Sequence, residues 1–599
     1  MVIILEDKFN NRIEKYKKDA ADKKRVYDKI AYLRLLVMVG CIYFIVQIFR
    51  GSQSIQNIYG VIITFIIFIG LLIYHSNIKE KIKFEADMIL INEKYIKRIN
   101  GKWMEFEDCG EEFVNKDHPY SFDLDLVGKK SLFQLINITT TYFGRQSLVN
   151  ALLFPNLNKE EIEKNQEATK ELSEKIDFCQ KIEYAGNKKN KNKMNPDKLL
   201  NYVESDNIFI NWPILKKVIY IMPMVTIPIS FIIILFKIKS LKILVYFFFI
   251  VQLLLWGVKA LKLNEALQVV SCYKNTLEEY EDILSIIEKE DFQCEKLKNI
   301  KKNLFDEDTS SIKAIRKLYN ISEKINLRNN GIMYLILNVL FLWDYQCIFS
   351  LESWKKQYGD KVRKWLYDIG TIEELMSISV LSHINESVIY PSFDEKKLIV
   401  RGKELGHPLI SSDVRVNNDV DMEDNIFIIT GSNMSGKTTL LRTIGINLVI
   451  AYSGGMICGE KLNASLMDIC SSMRITDDLQ GGISTFYGEL IRIKNIIDRS
   501  KENEKMIFLI DEIFRGTNSK DRITGAETVL RNLNERGVIG ALTTHDLELC
   551  TLSNTERIKN YHFEEHYKDN KILFDYKLRE GKSTTTNAKF LMKIVGIDI

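Results

Sequence analysis

The stretch NIFIITGSNMSGKTTLLRTIG, Asn425 to Gly445, decides how the C-terminal third of the chain folds. Ile426 to Thr430 is a continuous apolar run of strand length, and the residues after Lys437 form a helical pattern. Between them Gly431, Gly436, Lys437 and Thr438 satisfy G-x-x-x-x-G-K-[ST]. Strand, glycine loop and helix in that order make a phosphate cradle. The glycines let backbone N–H groups wrap the phosphates, Lys437 reaches the β and γ oxygens, and the Thr438 hydroxyl reaches magnesium. ATP and Mg2+ are the expected ligands, and the binding loop is Gly431, Ser432, Asn433, Met434, Ser435, Gly436, Lys437, Thr438 and Thr439.

Two later segments supply what such a loop needs for hydrolysis. MIFLIDEIFRGT, from Met506, is an apolar strand ending in Asp511 and Glu512. Asp511 is placed to orient magnesium through its water shell, and Glu512 to polarise the attacking water. ALTTHDL, from Ala541, ends a further apolar strand at His545, which is placed to contact the γ-phosphate or the water. This order of motifs points to a P-loop ATPase of the ABC type in an α/β domain over residues 391–599.

At these residues the chain resembles the MutS family of ATPases. TGSNMSGKTTLLR is similar to that family's T-G-P-N-M-x-G-K-S-T-x-x-R loop, with Ser432 in place of proline and Thr438 in place of serine. DDLQGGISTFYGEL (Asp477–Leu490) resembles D-D-x-x-x-x-x-S-T-F-x-x-E, DEIFRGTNSKD resembles D-E-x-x-R-G-T-S-x-x-D, and TTHDLEL resembles the histidine loop. The resemblance implies two ATPase domains paired head to tail as a homodimer, with Ser484 completing the partner's site at the γ-phosphate. It also implies that VNNDV, with Val416 and Asn418, covers the adenine; Arg415 and Asn417 stand where the family has phenylalanine and proline. Upstream, Thr141, Gly144 and Arg145 resemble the T-x-x-G-x-R pattern of the family's helical core, with the arginine one position early, so the likeness reaches back to about residue 120. The F-x-E wedge of mismatch readers is missing from residues 1–120, where a phenylalanine would stack on a mispaired base.

In place of that wedge domain stand apolar runs. Leu35–Phe49 and Ile58–Tyr74 flank a short polar loop, and each is close to the ~17–20 residues that a spanning helix needs. Lys23, Lys24, Arg25, Lys29 and Arg34 precede the pair, Lys79, Lys81 and Lys83 follow it, and the loop holds only Arg50, which puts both ends in the cytoplasm. A second apolar hairpin covers Val218–Phe236 and Ile243–Val258, with lysines in its linker that give no clear orientation. The alternative is a pair of buried hairpins in a large soluble core. Ile332–Trp343 is too short to span and reads as a core helix.

With 599 residues, 46% of them hydrophobic, the chain has room for several domains with large cores. A net charge of +4 is too small at this length to argue for nucleic acid by itself. The nine cysteines are scattered singly without a C-x-x-C pair, the pattern of reduced, buried thiols in an intracellular protein. The opening turns charged after five residues, so no signal-peptide core is expected. The expected architecture is multidomain, α and α/β: a helical region with a transmembrane hairpin (35–74) over 1–120, a helical domain like the MutS core with a second hairpin (218–258) over 121–390, and the ATPase. The expected protein is a multi-pass ATPase on the cytoplasmic face of the membrane. It acts on DNA as an ATP-driven dimer, or else on a protein partner or lipid without DNA.

Overall fold

The computed structural model describes residues 2–51, 55–188, 193–206, 213–236, 242–257, 260–306, 309–474, 485–514, 518–554, 556–568 and 571–583. The chain divides into two compact units: residues 1–136 together with 380–599, and residues 137–379.

The first unit opens with two long helices, α1 (Val2–Phe49) and α2 (Ile55–Ile99), which pack against each other. Each is roughly 70 Å long, more than twice the ~30 Å hydrocarbon layer of a bilayer, so no membrane could contain the whole hairpin. The sequence divides it accordingly. In the charged half the helices are held by polar and aromatic pairs: Lys23 bonds Glu85, Tyr27 stacks on His75 at 3.8 Å, and Phe9 stacks on Tyr95 at 4.8 Å. In the apolar half Leu36, Tyr43, Ile63 and Ile66 face outward, Leu36 at 70% exposure. At its far end α2 is fixed by Arg98, which is buried and donates to the carbonyl of Leu135 at 2.7 Å.

Beside a short pairing of Val388–Ile389 with Ile457–Cys458, the rest of this unit carries, among the described residues, a four-stranded and a six-stranded sheet. The strands are β1 (Ser392–Asp394), β2 (Ile399–Leu405), β3 (Asn418–Glu423), β4 (Ile426–Thr430), β5 (Lys461–Ser465), β6 (Asp468–Ser472), β7 (Met506–Asp511), β8 (Ile539–Thr544), β9 (Ile558–Lys568) and β10 (Lys571–Glu580). Four form a smaller sheet in the order β1-β5-β2-β3, and six form the main sheet in the order β6-β7-β8-β4-β9-β10. The main sheet is parallel except for the closing β9–β10 pair. Its central strands are buried on both faces, which is why they read as unbroken apolar runs and not as alternating ones. Register pairs Asp511 with Thr543 and Thr544 with Thr430, so three strands end side by side. Open parallel sheets bind ligands at that carboxyl edge.

The second unit is helical. Thr141 caps helix α3 (Tyr142–Leu153), its hydroxyl accepting from the Gly144 N–H at 3.0 Å. The buried Glu373 carboxylate accepts from the N–H groups of Thr140 and Thr141 and from both hydroxyls. A Cβ on Gly144 would lie 2.0 Å from the Glu373 Oε2, so only glycine fits there. The T-x-x-G spacing is thus the local price of burying one carboxylate fully hydrogen-bonded. Further along come α4 (Pro213–Leu235), α5 (Lys242–Gly257), α6 (Gly331–Phe341) and α7 (Trp343–Ser379).

Among the described residues three helices are long and apolar enough to cross a membrane: those at Leu5–Phe49, Ile55–Ile99 and Pro213–Leu235. At 16 residues α5 measures about 24 Å and falls short of a full span on its own. The core-helix reading of Ile332–Trp343 is corrected by its exposure: Ile332 is 76% exposed, Leu335 56%, and only Asn338 in α6 is buried. Length excluded a full span there but did not supply a core to bury the side chains in. Six of the nine cysteines are buried and all nine are free thiols.

Candidate nucleotide site

The main sheet places the candidate residues at one edge. From β4 the chain enters the glycine loop and leaves it into α8 (Lys437–Tyr452). Gly431 has φ +154° and Gly436 φ +107°, and a Cβ on Gly431 would come within 2.8 Å of the Ser435 Oγ. Lys437 is buried, and its ammonium donates to the carbonyls of Gly431 at 2.9 Å and Ser432 at 2.8 Å, curling back over its own loop. Asn433 and Met434 form the exposed tip, Met434 in the left-handed region at φ 69°. Thr439 is exposed on the first turn of α8.

Thr438 Oγ1 donates to Asp511 Oδ2 at 2.8 Å, and Thr543 from the neighbouring strand donates to the other carboxylate oxygen at 2.5 Å. The strand ends thereby hold the Asp511 carboxylate in one orientation. Glu512 follows with φ 48°, its N–H bonded to the Thr543 carbonyl and hydroxyl, and its carboxylate 3.9 Å from the Lys437 ammonium. His545 Nε2 stands 2.7 Å from Glu512 Oε1 and 2.9 Å from Asn433 Oδ1. Left-handed backbone at Met434, Glu512 and Phe514 is a cluster of strain, of order 1–3 kcal/mol each, that the surrounding bonds maintain. His545 is itself set by its strand, while the Arg522 guanidinium pairs with the adjacent Asp546 at 2.6 and 2.8 Å.

On the far side of the loop, Asn418 is engaged at both ends of its amide. Its Nδ2 donates to the Tyr576 carbonyl at 2.9 Å, and its Oδ1 accepts from the Leu578 N–H at 2.7 Å. Arg415 donates to Asn417 and Asn385, and Lys577 donates to the Asn417 carbonyl, so the stretch around Val416 is fastened to β10. A register shift in the β9–β10 pair between Phe563 and Glu565 puts Tyr576 at φ 56°. Its ring lies 3.2 Å from where a Gly436 Cβ would sit. Tyr576 carries no sequence signal: an aromatic in a strand is ordinary, and only the bulge turns it toward the loop.

Two further anchors come from parts of the sequence that no motif joins. Glu489 in α9 (Thr485–Glu502), the acidic end of S-T-F-x-x-E, is buried and accepts from the Phe514 N–H, tying that helix to the turn after Glu512. Asp123 accepts from the Ser471 hydroxyl at 2.7 Å and from the N–H groups of Met473 and Arg474. Asp125 accepts from Arg442 of α8 at 3.0 Å and from both ends of the Arg474 guanidinium. Arg492 of α9 reaches Asp123 and the Arg474 carbonyl. Burial and the neighbouring Arg474 charge lower the Arg442 pKa against the pull of Asp125. A short acidic segment therefore braces α8, the end of β6 and α9 together. Ser484 lies outside the described residues.

These residues fit a nucleotide with a hard cation. The hydroxyls of Ser432 and Ser435 are buried without a hydrogen-bond partner, inside a loop narrow enough that two of its positions admit no side chain without displacement. Among the described residues no group of three or more His, Cys, Asp or Glu could hold a metal ion unaided. Thr438 and Asp511 offer two oxygens, which suits magnesium, an ion that keeps several waters and takes phosphate oxygens as its other ligands.

Residues 427–596 match the family model for MutS domain V. Over 265 residues the chain is 28% identical to the DNA mismatch repair protein MutS of Streptococcus pyogenes serotype M1, covering 42% of this chain and 30% of that one. Over 247 residues it is 30% identical to the DNA mismatch repair protein MutS of Aquifex pyrophilus, covering 40% of this chain and 28% of that one. The chain thus spans less than a third of the length of these relatives.

Proposed function

We propose that this chain, which matches the MutS domain V model over residues 427–596, is a membrane-anchored ATPase of the ABC type that works as an ATP-driven homodimer on DNA. The single observation that carries the ATPase reading is the Thr438–Asp511 hydrogen bond beside the Glu512–His545 pair, at the carboxyl edge of a parallel sheet. Gly431 to Thr439 hold the phosphates, with the Lys437 ammonium exchanging its loop carbonyls for phosphate oxygens. Thr438 and Asp511 hold Mg2+, which when bound neutralises charge on the phosphates. Glu512 accepts the proton of the attacking water, and His545 fixes the carboxylate that does so. Val416, Asn418 and Tyr576 lie on the side of the loop where the adenine would rest.

Membrane anchoring is supported by the outward-facing apolar halves of α1 and α2 and by the exposed face of α4, with Phe231 and Ile234. Lysine and arginine on the flanks of the first hairpin support an ATPase on the cytoplasmic side. The names of the relatives motivate DNA as the partner. A second reading is favoured by the near-balanced charge and by apolar helices where mismatch readers carry their wedge domain: the same dimer acts on a protein partner or on lipid without DNA. The two are separated by binding of ATP-loaded, detergent-solubilised Glu512→Gln protein to duplex, mismatched and branched DNA across a salt series. ATP-dependent binding that falls steeply with salt supports DNA handling. Absence of binding at low salt, in protein that still holds ATP, removes DNA from the account.

A further inference from the structure

We infer that α6 is a re-entrant element immersed in the acyl-chain layer of the membrane, a third lipid-facing member of the second unit alongside α4 and α5. The inference rests on the membrane reading above and extends it to a segment whose length points the other way.

The sequence GIMYLILNVLF holds no charged residue. A helix that lies on a membrane surface has a charged face turned to water, and a helix docked on protein has a polar face opposite its contact. Neither pattern is present. The exposed side chains of Ile332, Met333, Leu335, Ile336 and Phe341 run around the helix, Tyr334, Leu337, Val339 and Leu340 are half-buried, and the polar Asn338 is the buried one. A helix apolar on every side belongs in a core or in lipid, and this one is not in a core.

Its neighbours are the other apolar helices of the unit. α6 packs against α4 and α5, and Trp256 of α5 meets Tyr334 edge-on at 5.7 Å. The outward faces of those helices, with Phe231 at 65% and Ile234 at 75% exposure, belong to the same small cluster of helices. Eleven residues make roughly 16 Å, about half the hydrocarbon layer, so α6 enters without crossing.

Non-helical backbone at membrane depth needs its polar groups satisfied by protein, and several at the ends of α6 are. Asn330 accepts from the N–H groups of Ile332 and Met333 at the start. The chain then bends by 80° into the next helix through Leu342, which is left-handed at φ 52° and fully buried. There the Leu342 N–H bonds the Asn338 carbonyl, Asn338 Oδ1 accepts from the Asp344 N–H, and Gln346 Nε2 donates to the Phe341 carbonyl. An ion pair beside the bend, Arg328 with Asp344 at 3.0 Å, is formed by two largely buried side chains.

The test places a diazirine amino acid, by stop-codon suppression in the full-length protein, at Leu335, at Phe231 in α4 and at Val414 in the α/β part, one position at a time. Each protein is reconstituted in phosphatidylethanolamine–phosphatidylglycerol vesicles and irradiated, and the adducts are identified by mass spectrometry. Lipid adducts at Leu335 in yield comparable to Phe231, with none at Val414, are the expected result. Lipid adducts at Phe231 combined with water or protein adducts at Leu335 overturn the placement of α6 and leave the membrane reading standing; a crosslink between two copies at Leu335 does the same. Loss of lipid adducts at both positions overturns the membrane reading, and this inference with it.

Discussion

Strand β4 and helix α4 are both rich in large apolar residues, yet their surroundings are opposite. Ile426, Phe427, Ile428 and Ile429 are completely buried, whereas Phe231 and Ile234 are mostly exposed. The strand is covered by strands on both sides, and its end delivers a glycine loop to the carboxyl edge of the sheet. The helix is covered on one side only, with Ile219, Pro223, Thr226 and Ile233 turned inward. Hydrophobicity therefore specifies that a segment leaves water and says nothing of what it enters. Burial of the polar groups decides that. Around β4 they form a chemical site, and around α4 and α6 they close off helix ends.

Substitutions can break this comparison on either side. The largest effect is expected from Glu512→Gln, which removes the proton acceptor and lowers ATP turnover by about 10²–10⁴-fold in steady-state assays while ATP binding persists. Turnover at the wild-type rate would separate the strand edge from the chemistry. Next comes Ile428→Ala, which opens a cavity in the sheet core and costs about 2–5 kcal/mol in denaturant unfolding of the detergent-solubilised protein. Asp125→Asn leaves Arg442 and Arg474 without their shared carboxylate, and is expected to cost about 1–3 kcal/mol by the same measurement. Asp125→Glu should recover part of that loss. Smallest is Ile234→Ala, expected to change stability in detergent by less than ~0.5 kcal/mol because the side chain packs on no protein neighbour to speak of. A loss as large as that of Ile428→Ala would mean that α4 is a core helix after all.

The candidate site is legible in the sequence where its parts are contiguous. Gly431 to Thr438 and the Asp511–Glu512 pair announce themselves because phosphate and magnesium demand fixed residue types at fixed spacing. Glu489 could be located by its motif but not understood, since its partner is the Phe514 N–H of a different segment. Asp123 and Asp125 were silent: their partners Ser471, Arg474 and Arg442 are more than three hundred residues away, and an acidic pair in a loop has no spacing rule. Tyr576 depends on a bulge that alternation does not report. The apolar runs of both hairpins are readable from length, the first also from its flanking charge, while for α6 length alone points to a core. Its lack of any charged face was the signal that should have outweighed length.

The measurement that bears most directly on the account is calorimetric titration of the full-length, detergent-solubilised protein with ATP and Mg2+, wild type beside Lys437→Ala. The Lys437 ammonium now rests on two loop carbonyls that phosphate oxygens would replace. A charge-assisted contact of this kind is worth about 1.5–3 kcal/mol, so the variant should bind ATP about 10–100-fold more weakly than the wild type. Equal affinities, or no binding by either protein, would contradict the assignment of the glycine loop as a nucleotide site.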